Sequence, residues 1–279
     1  MHKTVKTVLI ICLILAVLGA GCLIAGFALG GQPGFRLDWK NRTITAGDEL
    51  KARETLTPEA FTTLQIEAAT ADITVERGDD WALTYALSEE PEITQAGGVL
   101  KLEGQEHGSI GVVGFSFGKS NSPFVKVTVP ADAALEEITL TTATGDMKLS
   151  DLEAGRIELT CATGDMKLSS VTAQTLLLTA NTGDLELRNV STAEQAKLTT
   201  NTGDIDAELN APGGVSAKAN TGDVSLTLRG AEEDFALSLE TDLGDVTVSG
   251  RDNGRALDTE GDIPVRAETN TGDVEVWFS

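Results

Sequence analysis

The tripeptide Thr-Gly-Asp, repeated at a nearly constant interval, is the feature that most restricts how this chain can fold. It occurs six times, and one Leu-Gly-Asp copy joins it, so that the repeat glycines are Gly145, Gly164, Gly183, Gly203, Gly222, Gly244 and Gly272. The first five are 19, 19, 20 and 19 residues apart, and the last two intervals are 22 and 28 residues. A period near 19 residues is typical of proteins in which one small structural unit stacks on the next.

Apolar or small residues occupy alternate positions on both sides of each repeat glycine. In the first copy these are Ile138, Leu140 and Thr142 before the glycine, and Met147 and Leu149 after it. Alternation of this kind is typical of half-buried β-strands. Counted from the glycine, the inward positions lie an odd number of residues before it and an even number of residues after it. The inward face must therefore switch at Gly-Asp, which requires a corner or bulge there.

Glycine and aspartate both suit such a corner. Glycine supplies the backbone freedom of a bulged or left-handed residue, and an aspartate side chain can hydrogen-bond neighbouring backbone amides. The seven repeat glycines are therefore predicted to be structural corners. Two short strands per repeat, stacked ~4.8 Å apart, predict an all-β chain in which residues 131–279 form a parallel β-solenoid, a single-stranded β-helix-like stack.

The region before the repeats, residues 56–130, is predicted to belong to the same folded unit. The stretch from Leu64 to Val75 follows the same alternation, with Ala71 in place of the corner glycine. Other strand-like stretches in this region are irregular in length and spacing. We expect this section to cap the N-terminal end of the stack.

The repeat also predicts structural roles for three further residues. Cys161 lies at an inward position, so it is predicted to be a small buried residue. Trp277 and Phe278 end the last copy of the repeat. They are expected to close the C-terminal end of the stack.

The charge of the chain excludes several classes of partner. There are 21 Lys and Arg residues against 43 Asp and Glu residues, a formal net charge of −22 at pH 7. This balance argues against binding the phosphate backbone of nucleic acid, and against an anionic membrane surface recognised by basic residues. With only two histidines, histidine-dependent triads and His-ligated zinc sites are close to excluded. We expect no nucleic-acid partner, no resident cofactor and no enzymatic activity.

An apolar segment near the N-terminus predicts a membrane anchor. Residues 7–30 carry no charge and are long enough to cross a bilayer of roughly 30 Å. Lys3 and Lys6 precede them, so residues 1–6 are predicted to be a cytoplasmic tail. Residues 31–55 show no strong period and are expected to be a juxtamembrane spacer. The chain is thus predicted to be a single-pass protein of the cell membrane with an acidic C-terminal ectodomain outside.

Two alternatives for the anchor remain open from the sequence. A cleaved secretory signal is one, although the apolar run is longer than the ~7–15 residues of a signal core. Lipidation is the other, because Gly19-Ala-Gly-Cys22 resembles a lipoprotein cleavage box and would leave Cys22 modified. The uncleaved signal anchor is the favoured interpretation.

Two blocks of sequence together resemble a known family. One is the stretch Leu64–Glu76 with Gly78-Asp-Asp-Trp81 and Val125-Lys-Val-Thr-Val-Pro130, and the other is the array of Thr-Gly-Asp copies. Over residues 60–279 the chain resembles a family of bacterial domains of unknown function that carry the provisional label adhesin. Its members are β-strand repeat ectodomains, often behind one membrane helix. The resemblance implies a cell-envelope protein, in related bacteria sometimes linked to envelope-stress systems.

The aspartates of the repeat are the candidate ligands for a metal ion. If the repeats stack in register, Asp146, Asp165, Asp184, Asp204 and Asp223 recur along one edge, followed by Asp245 and Asp273. Calcium is the ion expected to bind such oxygen ligands, and the nearby asparagines Asn181, Asn201, Asn220 and Asn270 could add to them. The favoured interpretation is that these residues only build the corner, with the asparagine amides laddered between repeats.

Two lysines raise the question of catalysis. Lys148 and Lys167 occupy the same position in adjacent repeats, close to Asp146 and Asp165. A base beside calcium-binding carboxylates would suit a calcium-assisted polysaccharide lyase. A solvated row of alternating charges explains the same residues, and it is the favoured interpretation.

The sequence as a whole predicts a non-enzymatic envelope protein with an adhesin-like binding or scaffold ectodomain. Its expected partner is a cell-wall polymer or an envelope membrane protein, contacted many times along a repetitive face. The alternative is a regulatory partner of an envelope-stress sensor, acting through the anchor or through the apolar, glycine-rich segment Gly108–Gly118.

Overall fold

The computed structural model describes residues 35–38, 43–46, 50, 53–104 and 122–279. Its strands are β1 Phe35–Asp38, β2 Thr43–Ala46, β3 Glu54–Leu56, β4 Thr63–Thr70, β5 Asp72–Gly78, β6 Ala82–Ala86, β7 Glu92–Ala96, β8 Val99–Glu103, β9 Phe124–Pro130, β10 Leu135–Thr144, β11 Met147–Thr163, β12 Met166–Thr182, β13 Leu185–Thr202, β14 Ile205–Asn210, β15 Val215–Thr221, β16 Val224–Leu228, β17 Phe235–Leu243, β18 Val246–Val248, β19 Arg251–Asp252, β20 Ala256–Asp258, β21 Ile263–Thr271 and β22 Val274–Phe278. A 3-10 turn at Glu232–Asp234 is the one helical element of these residues. The all-β prediction is confirmed.

Two predicted features of the N-terminal part lie outside the described residues, namely the anchor at 7–30 and the segment Gly108–Gly118. Within the described ranges, no helix combines the length and apolarity needed to cross a membrane. Strands β1 and β2 form an antiparallel hairpin that belongs to a separate compact unit. Every other strand belongs to the second unit, residues 50–106 and 122–279.

In this second unit, successive repeats pair side by side as parallel strands. Residues before the corner of one repeat pair with those before the corner of the next, so that Ile138 lies beside Ile157 and Leu159 beside Leu178. Residues after the corner pair in the same way, as Met147 does with Met166. We call each corner with the strand before it and the strand after it a rung. Because like residues stack on like, the inward positions form one continuous apolar core.

The inward face switches twice more between one Gly-Asp corner and the next, which the sequence pattern did not reveal. Between Gly145 and Gly164 the buried residues are Met147 and Leu149, then Leu152 and Ala154, then Ile157, Leu159 and Cys161. The first switch occurs at Asp151, whose φ is +56°, and Ser170 and Asn189 occupy the same position with φ of +54° and +52°. Three short straight runs per turn therefore surround the core, and the outward residues of each run form rows along the stack.

The order of rungs in the stack differs from their order in the sequence at both ends. Rung 1 is β8 with β9, rung 2 is β4 with β5, rungs 3–7 follow the chain from β10 to β16, rung 8 is β21 with β22, and rung 9 is β17 with β18. The first rung in the sequence and the last one both lie one place inside the stack. Each is thus held by a parallel neighbour on both sides.

The expectation that Trp277 and Phe278 close the C-terminal end is therefore wrong. Both residues belong to rung 8, and rung 9 lies beyond them. Trp277 is 43% exposed on the outer surface, while Phe278 packs on the ring of Phe235 with 5.2 Å between ring centroids. The end is closed instead by β19 and β20, which pair antiparallel with the two strands of rung 9.

The N-terminal end is closed by the same device. Strands β6 and β7 pair antiparallel with the two strands of rung 1, and β3 pairs with β6. The rings of Phe61 and Trp81 pack together, 4.3 Å apart, against the end of the core. Short antiparallel strands of this kind occupy the hydrogen-bonding edge of a terminal rung, which would otherwise be open to pairing with another chain.

Removal of rung 8 should unfold rung 9, although rung 9 precedes it in the sequence. A chain that ends at Asp258 lacks rung 8, so β17 loses its parallel neighbour and its place in the stack. We expect the amides of β17 to lose hydrogen-exchange protection, while those of β14 keep it.

The matched control is a chain ending at Gly230, which lacks both rungs and should protect β14 equally well. Protected β17 amides in the chain that ends at Asp258 would show that rung 9 does not depend on rung 8 for its place in the stack.

Candidate functional site

The corner glycines bring neighbouring rungs into direct backbone contact. In all seven, φ lies between +136° and +154°, a conformation that residues with a side chain rarely adopt. A Cβ atom at these positions would lie 1.9–2.2 Å from the carbonyl oxygen of the corner residue in the adjacent rung. No side chain fits in that space. The close approach of rungs at the corner therefore requires glycine for two independent reasons.

The corner aspartates form a continuous hydrogen-bonded ladder, which we call the aspartate edge. It contains, in spatial order, Asp72, Asp146, Asp165, Asp184, Asp204, Asp223, Asp273 and Asp245. In each step, Oδ1 of one aspartate accepts the backbone N–H of the next, with N···O distances of 2.8–3.0 Å. At the N-terminal end, the N–H of Asp72 donates to the carbonyl of Pro123 at 2.9 Å. The carboxylates thus take the place of backbone acceptors at the corner.

This geometry gives the aspartates a structural task and bears on their proposed metal binding. One oxygen of each carboxylate before Asp245, the last of the edge, is engaged along the stack, which leaves Oδ2 as the oxygen that can face a cation. In the part of the chain that the structure describes, no three His, Cys, Asp or Glu residues are grouped so that they could hold a metal ion. Calcium at Asp146, Asp165, Asp184, Asp204 and Asp223 stays a prediction.

The inner side of the corner has its own polar contacts. Thr200 donates to the carbonyl oxygen of Gly183 at 3.0 Å, and Thr269 donates to that of Gly222 at 2.9 Å. At the equivalent position, the Sγ atom of Cys161 lies 3.4 Å from the carbonyl oxygen of Gly145. Burial raises the pKa of the Cys161 thiol, so the unreactive neutral form is favoured. The prediction that Cys161 is a small buried residue is confirmed.

A groove of about 640 Å³ runs along the outer surface of the strands that precede the corners. Two rows line it over rungs 3–6: Thr141, Thr160, Thr179 and Thr199 form one, and Ala143, Ala162, Asn181 and Asn201 form the other. The groove ends at Glu67 on one side and near Lys218 on the other. We call it the threonine–asparagine groove.

Some of the asparagine amides are laddered, as the sequence suggested. Asn220 donates to Oδ1 of Asn201 at 2.9 Å, and Asn270 donates to Oδ1 of Asn220 at 2.5 Å. The groove itself was not predicted from the sequence. The sequence does contain one indication of the groove: a threonine stands four residues before the corner glycine in four consecutive copies. The alternation of apolar and polar residues identifies that position only as facing outward.

The two lysines considered for catalysis lie side by side but are not arranged as a base. Lys148 and Lys167 are directly paired neighbours in β11 and β12, and both are exposed. Lys167 forms an ion pair with Glu186, with 3.1 Å between Nζ and Oε2. The hydrogen bond to Glu186 raises the pKa of Lys167. A catalytic base needs its pKa lowered towards neutrality, so this environment does not favour a lyase.

A family model named Toastrack DUF4097 matches residues 61–278. The chain belongs to this family. The match covers the whole rung stack, including the irregular rungs 1 and 2. It confirms the sequence-based resemblance to a family of domains of unknown function. No curated protein matches the chain.

The solved structures that match the chain include proposed bacterial adhesins, at low identity and low TM-score. A proposed cell adhesion protein from Clostridium sporogenes is 14% identical with a TM-score of 0.40, and the match covers 83% of this chain and 100% of that one. A proposed adhesin from Bacteroides fragilis is 13% identical with a TM-score of 0.41, over 82% of this chain and 98% of that one. One from Parabacteroides merdae is 15% identical with a TM-score of 0.36, over 81% and 95%.

Replacement of a corner glycine should be far more costly than replacement of a positive-φ glycine that makes no contact between rungs. Gly183→Ala places a Cβ atom 1.9 Å from the carbonyl oxygen of Gly164, so we expect the free energy of unfolding to fall by about 3 kcal/mol or more. Gly254 has φ of +73° and no atom within 4 Å of its Cβ position, so Gly254→Ala should cost about 1 kcal/mol. Denaturant unfolding of both variants measures the difference. Equal losses would show that contact between rungs is not what requires glycine.

The aspartate edge predicts that the stability of the fold depends more on a hydrogen-bond acceptor at each corner than on the negative charge of the carboxylate. Asp184→Ala leaves the N–H of Asp204 without its protein acceptor at an exposed corner and should cost about 1–1.5 kcal/mol. Asp184→Asn keeps an Oδ1 acceptor and should cost less than about 1 kcal/mol. Melting curves in chelator and in calcium also test the metal: if calcium binds this edge, it should raise the melting temperature of the wild type more than that of Asp184→Asn. An Asn variant as unstable as the Ala variant would contradict the ladder.

Proposed function

We propose that this protein is a non-enzymatic, adhesin-like binding module of the cell envelope whose contact surface is the threonine–asparagine groove. In this proposal residues 7–30 anchor the chain in the cell membrane, and the rung stack is a β-solenoid displayed on the outer side. The observation that carries the proposal is the groove of about 640 Å³, lined by the same side chains rung after rung.

The chemistry of the groove favours a neutral polymer rich in hydroxyl and amide groups. Its floor over rungs 3–6 consists of threonine, alanine and asparagine, which offer hydrogen-bond donors and acceptors without charge. The chain as a whole carries a net charge of −22, which disfavours acidic polymers. A neutral glycan of the cell wall fits both conditions.

The regular spacing of the rungs explains how individually weak contacts could give useful affinity. Equivalent hydroxyl groups recur every ~4.8 Å along the groove, because the strands stack in register. A polymer aligned with the groove would therefore meet several equivalent sites at once, and a rigid scaffold lowers the entropy cost of each contact. Lys167, one of the two lysines that a lyase would use as a base, is instead engaged by Glu186.

Co-sedimentation of the full chain with purified cell-wall polymers tests the proposal. We expect saturable binding and intact polymer. Ala162→Leu fills the middle of the groove without changing charge and should weaken binding about tenfold, equivalent to ~1.4 kcal/mol. The matched control is Thr172→Leu, which changes an exposed residue outside the groove, in β12, the strand that follows Ala162 in the chain.

Three results would contradict the proposal. Failure of the wild type to sediment with any polymer would direct attention to a membrane-protein partner. Equal binding by the two variants would place the contact outside the groove. Release of unsaturated sugars would instead indicate a lyase.

A further inference from the structure

The strands that follow the corners carry an outward row whose charge changes sign along the stack. From rung 1 to rung 8 its residues are Lys126, Thr74, Lys148, Lys167, Glu186, Asp206, Ser225 and Glu275. All eight are exposed or half-exposed. The lysines occupy only rungs 1–4, and the carboxylates occupy only rungs 5–8. We call this surface the charge-graded face.

Part of this charge is balanced within the chain, and part is not. Lys167 pairs with Glu186, and Lys126 pairs with Glu76. Arg188, in the neighbouring outward row, pairs with Asp206 and Glu186. Within the described ranges, Lys148 and Glu275 form no ion pair. Each half of the face therefore keeps a charge that can meet an opposite charge from outside.

The row is complementary to its own reverse. A two-fold axis parallel to the strands, between rungs 4 and 5, sets rung 4 of one copy opposite rung 5 of the other, rung 3 opposite rung 6, and rung 1 opposite rung 8. Lys167 then meets the partner's Glu186, Lys148 meets the partner's Asp206, and Lys126 meets the partner's Glu275. We propose that the charge-graded face binds a second copy of the chain in antiparallel orientation.

A second copy fits this face better than an unrelated partner because it has the same rigid ~4.8 Å spacing. The symmetric arrangement forms each ion pair twice and opposes no like charges within the row. In the neighbouring outward row, Ser169 meets the partner's Arg188 and Ser150 meets the partner's Glu208, again without a like-charge contact. The aspartate edge lies two residues nearer the corner than this row, and its Oδ1 atoms accept hydrogen bonds along the stack.

The size of the face indicates a weak and reversible dimer. Seven rung intervals span ~34 Å, and the outward part of each strand spans roughly 10 Å. The area of roughly 350 Å² per chain is well below the ~800 Å² per partner of a standard stable interface. The threonine–asparagine groove lies on the other strand of each rung. The dimer would thus present two grooves at once, although the inference does not depend on what they bind.

Zero-length carbodiimide cross-linking of the full chain, mixed from two isotopic forms, tests the inference. The reagent joins a lysine to a carboxylate only when the two are in contact. Within one chain, Lys126 and Glu275 are seven rung intervals apart, ~34 Å, and Lys148 and Asp206 are three intervals apart, ~14 Å. We expect both pairs to be cross-linked between different isotopic forms. If these links are missing, or if the mixed-isotope links join only pairs other than these two and Lys167–Glu186, the antiparallel dimer is ruled out.

Charge reversal provides the matched variants, read out as the dimer dissociation constant in analytical ultracentrifugation. Lys148→Glu sets two carboxylates against each other at two symmetric places and should weaken the dimer about tenfold. Adding Asp206→Lys to it restores opposite charges and should restore the dimer. Lys197→Glu makes the same charge change at an exposed residue of a strand that precedes a corner, and should have no effect. Equal weakening by Lys148→Glu and Lys197→Glu, or no rescue in the double variant, would overturn the proposal.

Discussion

The contact between corner residues of adjacent rungs is the constraint on which the rest of the structure depends. The corner backbone approaches so closely that a Cβ atom would lie about 2 Å from a carbonyl oxygen, and the aspartate ladder joins the same corners by hydrogen bonds of 2.8–3.0 Å. One corner therefore sets the position of the next. Because every rung is held at the same point of its turn, equivalent residues fall into straight rows on the surface and into a continuous core.

Because equivalent residues of successive rungs form rows, the residue type at one position of the repeat determines the chemistry of a whole surface. Threonine at one outward position, repeated in four rungs, lines a neutral groove, whereas lysine and then glutamate or aspartate at another position make a face of graded charge. Both surfaces lie on the same rigid scaffold but on different strands of each rung. Neutral polymer binding and association between copies could therefore coexist without competing for residues.

The ends of the stack show how a repetitive core is kept finite. Short antiparallel strands cover the edges of rungs 1 and 9, and the first and last rungs of the sequence are inserted one place inside. Each inserted rung gains a second parallel neighbour, and the edge strands block pairing with another chain. Association of copies through a side face, as proposed, leaves these protected ends undisturbed.

The sequence by itself determined the all-β character, the glycine corners and the inward residues of each repeat, since these depend on local backbone freedom and on alternation within a few residues. It also marked Cys161 as a small buried position. Only the tertiary structure decided the order of rungs 8 and 9, because any two repeats of equal period can pair in parallel and the position of Trp277 and Phe278 in the chain does not choose between them. The groove also required the fold, because it forms where residues ~19 positions apart meet across the stack. The two additional switches per turn required it for another reason: the first occurs at Asp151, Ser170 and Asn189, which adopt positive φ without being glycine.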